Sequence, residues 1–304
     1  MKVSEVFMSN FKIIKESVQY IESNLYKTFN PSVLCQQYDI SEFHYYHLFK
    51  HIIGISLMEY ISKRYISDQL YRWASSKKSI PLTEVAHYSM FSSVKNLSKL
   101  LKKDFNISLK QYYKDFDGTE LYPAFNNHKY KSQCDHVFNI KSEIVTMPSA
   151  TLIGLSTVTH LTNQQHLKDI WYLKKKIDMQ YDYIKHLAPL RSHEFGVSYN
   201  TSIDSKKYNN ISFEYFRGYQ VSEISKLPSD FKVLSLPRQQ YLRFLTTTNS
   251  EVFEQTLNYI YSDYLINNPI KLKNSNINLI ERYRYDQSAN QDIIVELYIP
   301  IEKS

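Results

Sequence analysis

Residues 48–61, LFKHIIGISLMEYI, return 52 positions later as LLKKDFNISLKQYY at residues 100–113. Leucine, lysine, an Ile-Ser-Leu triplet and a tyrosine recur in register, and Gly54 of the first copy stands where Asn106 stands in the second. Glycine and asparagine are the residue types that best tolerate the left-handed position just past a helix end. A helix is therefore expected to stop by the same device in each copy. One small helical unit, used twice within so short a span, constrains the first third of the chain more than any other feature.

What precedes each copy completes the unit. NPSVLCQQY offers Asn30 as an N-cap and Pro31 at the first helical position, and Tyr38-Asp39-Ile40 then turns the chain toward Ser41 and EFHYYHLFKHII. The second copy follows the same plan, with the helix PLTEVAHY, the turn SMF and the helix SSVKNLSKLLKKDF. Two short helices joined by a tight turn describe a helix-turn-helix, whose second helix can enter a major groove. Before the first unit, FKIIKESVQYIESNLY places Ile13, Ile14, Val18, Ile21 and Leu25 on one helical face. Between the units, SLMEYISKRYISDQLYRWAS reads as a single helix with Met58, Ile61, Tyr65, Leu70 and Trp73 as core candidates. About 18 residues at 1.5 Å each span roughly 27 Å, short of the roughly 34 Å between successive major-groove faces. Two rigidly held recognition helices would therefore bend the DNA they share, which circular-permutation electrophoresis would detect.

The charge distribution agrees with an anionic partner. The chain of 304 residues carries +7 overall, but residues 1–116 hold 16 Lys and Arg against 10 Asp and Glu, and the remainder holds 21 against 20. Nearly all the excess sits in the first third, which points to nucleic acid there. Apolar runs stay short of the roughly 18–20 residues of a membrane span, and Lys2, Glu5, Lys12, Lys15 and Glu16 interrupt any signal core, so no membrane partner is expected. Cys35 and Cys134 are the two cysteines, too few for a disulfide framework, which fits a reducing cytoplasm. Five glycines, none in a phosphate-cradling motif, argue against a nucleotide cofactor. The 27 tyrosines accompany enrichment in Asn, Ile and Lys, so coding bias explains them as well as function does. His44, His47 and His51 share a helical face, but no cysteine or carboxylate pair accompanies them; Cys134 and His136 are isolated. No metal and no cofactor are expected.

SEFHYYHLFKHIIGISLMEYI together with PLTEVAHYSMFSSVKNLSKLLKKDFNISLKQYY resembles the AraC/XylS-type DNA-binding domain over residues 8–116. The resemblance implies an all-α double helix-turn-helix and a cytoplasmic transcription regulator on double-stranded promoter DNA, with RNA polymerase as a further partner. It places Phe43, Tyr46, His47 and Lys50 of the first recognition helix, and Val94, Lys95, Asn96 and Lys99 of the second, toward DNA. Asn96 can bond adenine bidentately, Lys95 or Lys99 can meet guanine or phosphate, and Val94 or Phe43 can touch a thymine methyl. His47 and Lys99 stand where the family usually has arginine, and Asp39 and Met90 replace turn glycines.

Residues 117–139 read as a linker, and 140–303 as an α+β domain. SEIVTMPSATLIGLSTVTH, a helix from NQQHLKDIWYLKKKIDMQYDYIKHL, and the strands EFGVSYN and ISFEYFRGYQVS recur in order as FKVLSLPRQQYLRFLTTT, SEVFEQTLNYIYSDYLINN, INLIERYRYD and DIIVELYIPI. Met147-Pro148 and Leu236-Pro237 mark equivalent points 89 residues apart. The fold class expected is thus multidomain, with two pseudo-symmetric strand-helix-strand-strand units in the second half and a groove between them suited to a small ligand. FEYFRGYQV, LPRQQYLRFL, NYIYSDYL, LIERY and VELYIPI resemble the GyrI-like effector-binding domain, and the whole chain resembles the Rob-like branch of regulators. The resemblance implies a small-molecule effector, cationic or amphipathic, held by an aromatic pocket with an acid: Glu281, then Glu296, with Trp171, Tyr215, Tyr241 and Tyr283 as walls. The chain is expected not to be an enzyme. The alternatives are hydrolysis of a small electrophile by Glu281 with Tyr283 or Tyr241, and a ligand-free docking module.

Overall fold

The structure is a computed structural model that describes residues 9–27, 30–76, 93–125, 140–161, 165–188, 194–203, 211–268, 270–285 and 293–302. Helices α1 (Ser9–Ser23), α2 (Pro31–Gln37), α3 (Glu42–Ile53), α4 (Leu57–Ser75), α5 (Val94–Phe105) and α6 (Leu109–Lys114) come first. Strands β1 (Ser142–Met147) and β2 (Ala150–His160), helix α7 (Gln165–Gln180), then β3 (Glu194–Ile203) and β4 (Ile211–Val221) follow. Next come β5 (Lys232–Leu236), β6 (Gln239–Thr247), α8 (Ser250–Tyr259), β7 (Ile277–Arg284) and β8 (Ile294–Pro300).

The described residues pack as two units: one of residues 9–14, 30–52 and 140–302, the other of 15–27 and 53–125. Helix α3 belongs with the β-sheet rather than with α4 and α5.

In the second unit the sequence signals read directly onto structure. Ser56 caps α4 by accepting from the Glu59 amide, and Ser93 caps α5 by accepting from the Asn96 amide. Gly54 and Asn106 both take positive φ, 89° and 56°, so both repeat copies end their helix in the left-handed conformation. Leu97 and Leu101 of α5 pack with Tyr65, Ile66, Leu70 and Trp73 of α4 and Tyr112 of α6, leaving Lys95, Asn96 and Lys99 on the exposed face. The helix PLTEVAHY, the turn with Met90, and Cys134 and His136 of the linker lie outside the described residues.

The other unit is built on an antiparallel sheet in the order β1-β6-β8-β7-β3-β4-β2-β5. Prolines set its strand ends. Pro148 separates β1 from β2 and Pro237 separates β5 from β6, since proline supplies no ladder N–H. Two strands thus precede each of α7 and α8; SEIVTMPSATLIGLSTVTH was expected as a strand pair or a long bent strand. Asn200, with φ 48°, sits in the register break between Tyr199 and Ser202. Both sheet faces are buried. Ile153, Leu155, Phe213, Tyr215 and Tyr219 pack with Leu173 and Ile177 of α7 on one side, and Leu152, Phe195, Val197, Phe216, Tyr241 and Tyr298 pack on the other.

Within the helical unit, Arg64 is 4% exposed and joins three segments. It donates to Glu22 at 2.8 Å and to Glu120 at 2.6 Å, and it also meets the Tyr122 carbonyl. Removing it strands two carboxylates, each still partly wetted, so the cost falls at the low end for broken buried pairs. Arg64→Met is expected to lower unfolding free energy by about 3 kcal/mol in urea titrations; a change under about 1 kcal/mol would contradict this reading.

Candidate functional site

Sheet register decides which of the expected ligand residues share a face. Gly196 of β3 pairs with Arg217 of β4 and Glu281 of β7, while Glu194 pairs with Tyr219 and Tyr283. Paired residues point the same way, so Glu194, Gly196, Arg217, Glu281 and Tyr283 lie on one face, with Tyr215 opposite Ser198 beside them.

These side chains form one buried cluster. Tyr215 donates to Glu281 Oε2 at 2.8 Å, and the Tyr283 hydroxyl donates to the same oxygen. Arg217 donates through Nε to Glu194 Oε1 at 2.6 Å, reaches the Tyr215 hydroxyl at 3.5 Å, and lies 3.5 Å from the Tyr283 ring centroid. Tyr285 donates to the second Glu194 oxygen, and Lys174 of α7 is 3.6 Å from Glu194. Glu194 is 1% exposed, Arg217 4% and Glu281 7%. Burial works against the Arg217 charge, but Tyr283, Tyr215, Glu194 and Glu281 more than offset it and hold the guanidinium protonated. Burial, with the Glu281 charge beside them, raises the pKa values of Tyr215 and Tyr283, so both stay donors. Gly196 permits the approach: a methyl there would sit 2.8 Å from Glu281 Oε2 and closer still to the Tyr215 hydroxyl.

The other expected ligand residues lie elsewhere. Glu296 pairs with Arg282 and Leu245, which puts it on the opposite face from Glu281, where Tyr298 donates to it at 2.8 Å and Arg243, Arg282 and Arg284 surround it. Tyr241, four residues along β6 from Leu245, shares that face and packs edge-on to Tyr298. Trp171 is 51% exposed on α7, with the Lys175 ammonium 3.8 Å from its ring centroid. Period-two alternation separates Glu296 and Tyr241 from Glu281, and helical periodicity turns Trp171 outward. Sequence reading missed Glu194 and Arg217. The signal was a glutamate opening EFGVSYN and an arginine inside FEYFRGYQV, both in strands otherwise apolar enough to be buried. A cleft of about 280 Å³ between β6, β8 and α8, lined by Leu245, Val252, Thr256 and Ile294, is apolar and separate from this cluster.

Helix α3 meets the same sheet unit with the side chains expected to face DNA. Phe43, 3% exposed, packs edge-on to Phe213 with ring centroids 5.8 Å apart. His47 stacks on Tyr261 at 4.9 Å, in a π-helical turn (Ile260–Tyr264) that widens the end of α8. His44 Nδ1 lies 2.9 Å from the Tyr261 hydroxyl, His51 Nδ1 3.1 Å from Asn258, and Lys50 bridges to Glu254 at 2.9 Å. Tyr46 is buried as well. In this conformation Phe43, Tyr46, His47 and Lys50 are therefore spent on protein contacts, whereas Lys95, Asn96 and Lys99 are exposed and Val94 is half-buried. Among the described residues no group of three His, Cys, Asp or Glu is arranged for a metal; His47 and His51 stack on Tyr261, and His44 meets its hydroxyl. No helix among them is long and apolar enough to cross a membrane.

Burial pushes His44 down to about 3, and burial followed by Lys50 pushes His51 down to about 4; His47 and His166 are lowered too. A histidine depressed in the folded state leaves the unfolded chain binding more protons below about pH 6.5, so stability falls as pH drops toward the folded value. For His44 alone the loss between pH 7 and pH 5 is about 2 kcal/mol. His44→Gln, which keeps a partner for Tyr261 but cannot titrate, should flatten that pH dependence in urea titrations. An unchanged slope would show that His44 is not its source.

Residues 143–301, just over half of the chain, match the family model described as Cass2, integron-associated effector binding protein. No curated protein matches the chain. SAV2435 bound to tetraphenylphosphonium is 14% identical over 53% of this chain and 94% of its own, with a TM-score of 0.42. An integron cassette protein of Vibrio cholerae is 16% identical over 54% and 100%, with a TM-score of 0.39. EcmrR in a complex with DNA is 11% identical over 91% and 86%, with a TM-score of 0.40. By this match over residues 143–301, the chain belongs to the Cass2 family of integron-associated effector binding proteins.

Proposed function

We propose that the chain is a ligand-sensing transcription regulator: an AraC-type double helix-turn-helix reads promoter DNA, and the effector-binding fold receives a small molecule at the cluster around Glu281. The observation that carries this reading is one chain holding an effector-family fold and, in its separate helical unit, a helix whose exposed face is basic. Lys95, Asn96, Lys99, Lys102 and Lys103 are all exposed on α5, above a face closed by Leu97 and Leu101. Two-fold duplication of the sheet agrees, since exchanging β1–β4 with β5–β8 reproduces the same strand order read backwards. Such symmetry puts β3 and β7, the strands of Glu194 and Glu281, at its centre.

DNA reading falls to α5 in this conformation. With α3 packed on Phe213, Tyr261 and Asn258, both recognition helices can enter neighbouring grooves only if α3 leaves those contacts. A complex formed through α5 alone would leave the DNA straight. Binding without catalysis is also the reading the site chemistry favours. One Glu281 oxygen already accepts from two tyrosines that keep their protons, so neither tyrosine is a base at neutral pH. RNA polymerase remains the expected protein partner on a promoter.

A salt titration of promoter-sized DNA tests the assignment. Each phosphate contact contributes a slope of roughly −0.9 in log K against log salt. Lys95→Ala and Lys99→Ala are each expected to weaken binding and to reduce the slope by about 1, while Lys50→Ala leaves it unchanged because Glu254 already holds that ammonium. Equal effects from all three would place α3 on DNA; no effect from Lys95 or Lys99 would remove α5 from it.

A further inference from the structure

Helix α3 is seated on the sheet unit by one stripe of side chains. Positions 43, 44, 47, 50 and 51 fall within about 120° of one another at about 100° per residue. All five are engaged. Phe43 packs on Phe213 with ring centroids 5.8 Å apart, and His47 and His51 stack on Tyr261 at 4.9 and 5.8 Å. His44 Nδ1 lies 2.9 Å from the Tyr261 hydroxyl and His51 Nδ1 3.1 Å from Asn258, while Lys50 reaches Glu254 at 2.9 Å. Phe213 shares a face of β4 with Tyr215 and Arg217, so α3 rests on the face that carries the Glu281 cluster. The seat is incomplete in polar terms. His44 Nε2, His47 Nδ1 and His51 Nε2 are buried without a hydrogen-bond partner among the described residues. A buried polar atom left unpaired costs stability, and a permanent core holds few of them. Lys50 and Glu254 stay exposed at the rim.

We propose that this seat is an autoinhibitory contact: the stripe of α3 that would read DNA is the stripe that docks on Phe213, Tyr261 and Glu254, so the chain holds DNA through α5 alone until α3 is released. This rests on the reading of α3 and α5 as DNA-reading helices. Phe43, His47 and Lys50 belong to both uses, and one helical face cannot meet a major groove and the sheet at once. Release frees three imidazoles whose unpaired nitrogens then meet base edges, phosphates or water, and it adds Lys50 to the surface that neutralises phosphate. Docking and full DNA binding are therefore linked, and whatever weakens the seat strengthens DNA binding by up to the same factor. Tyr215, two positions along β4 from Phe213, donates to Glu281 at 2.8 Å, so the seat borders the cluster where the effector is received.

The test opens the seat from the sheet side. Glu254→Arg with Asn258→Arg sets two cations against Lys50 and His51; Glu254→Arg alone, at an exposed position, serves if circular dichroism shows that the pair fails to fold. Duplexes of about 40 base pairs, roughly four helical turns, are selected from a random pool by the variant and then offered to the wild type as well. Amide hydrogen exchange reads whether α3 is seated, and Lys50→Ala is added to each background. Release should speed exchange of the α3 amides about tenfold or more while the sheet amides keep their protection. DNA affinity of the variant should rise about fivefold or more. Lys50→Ala should give back part of that gain and lower the salt slope by about 1 in the variant, and change nothing in the wild type. If α3 stays protected in the variant, the seat is permanent core and the proposal falls. It falls too if affinity rises but Lys50→Ala costs nothing, since the new arginines and not α3 then hold the DNA. A wild type already weakened by Lys50→Ala would show α3 on DNA without release, and would also overturn it. Failure of every chain to bind DNA would strike the regulator reading itself, and the inhibition with it.

Discussion

A guanidinium buried to 4% exposure between Glu194 and the ring of Tyr283 is the interaction around which the effector fold is arranged. Removing an arginine and a glutamate from water costs several kcal/mol per ion, which Coulomb attraction offsets only with good geometry and with the remaining donors occupied. The surrounding sequence supplies those conditions. Gly196 opens the space, Tyr285 takes the second Glu194 oxygen, and Tyr215 and Tyr283 converge on Glu281. An apolar trio would serve stability as well. What the charged cluster fixes is which groups stand where β3, β4 and β7 meet.

Helix α3 has two possible partners, and its composition suits both. Phe43, His44, His47 and His51 form a mixed aromatic and imidazole face that can meet base edges or, as here, stack on Tyr261 and Phe213. The histidines can be buried in this way only while neutral, and burial keeps them so. An arginine at position 47 would bring a charge that this aromatic stack could not neutralise, so His47 suits the protein contact. Asp39 takes φ 50° in the turn before α3 and accepts from Asn274 of the sheet unit.

Much of this was legible in the sequence because it depends on local rules. Gly54 and Asn106 ended their helices as a left-handed cap requires, Pro31 and Asn30 began α2, and Leu97 and Leu101 followed the 3.6-residue period into the core. Tyr215 and Tyr283 both donate to Glu281. Glu296 and Tyr241 do not join them, because the face on which a strand residue falls is set by register across strands far apart in sequence. Arg217 and Glu194 were overlooked for the same reason: each looks like an isolated charge in an apolar strand until β3 and β4 are paired. The packing of α3 on α8 joins residues more than 200 positions apart, and no periodicity encodes it.

The central claim is that Arg217 is a fixed, buried cation between Glu194 and Tyr283, and the most direct measurement is nuclear magnetic resonance of its guanidinium Nε–H in the intact chain. The account predicts a single Arg217 Nε–H signal that exchanges slowly with water, shows contacts to the Tyr283 ring protons, and shifts on Glu194→Gln. An Arg217 signal that exchanges as fast as those of surface arginines, with no Tyr283 contact, would contradict it.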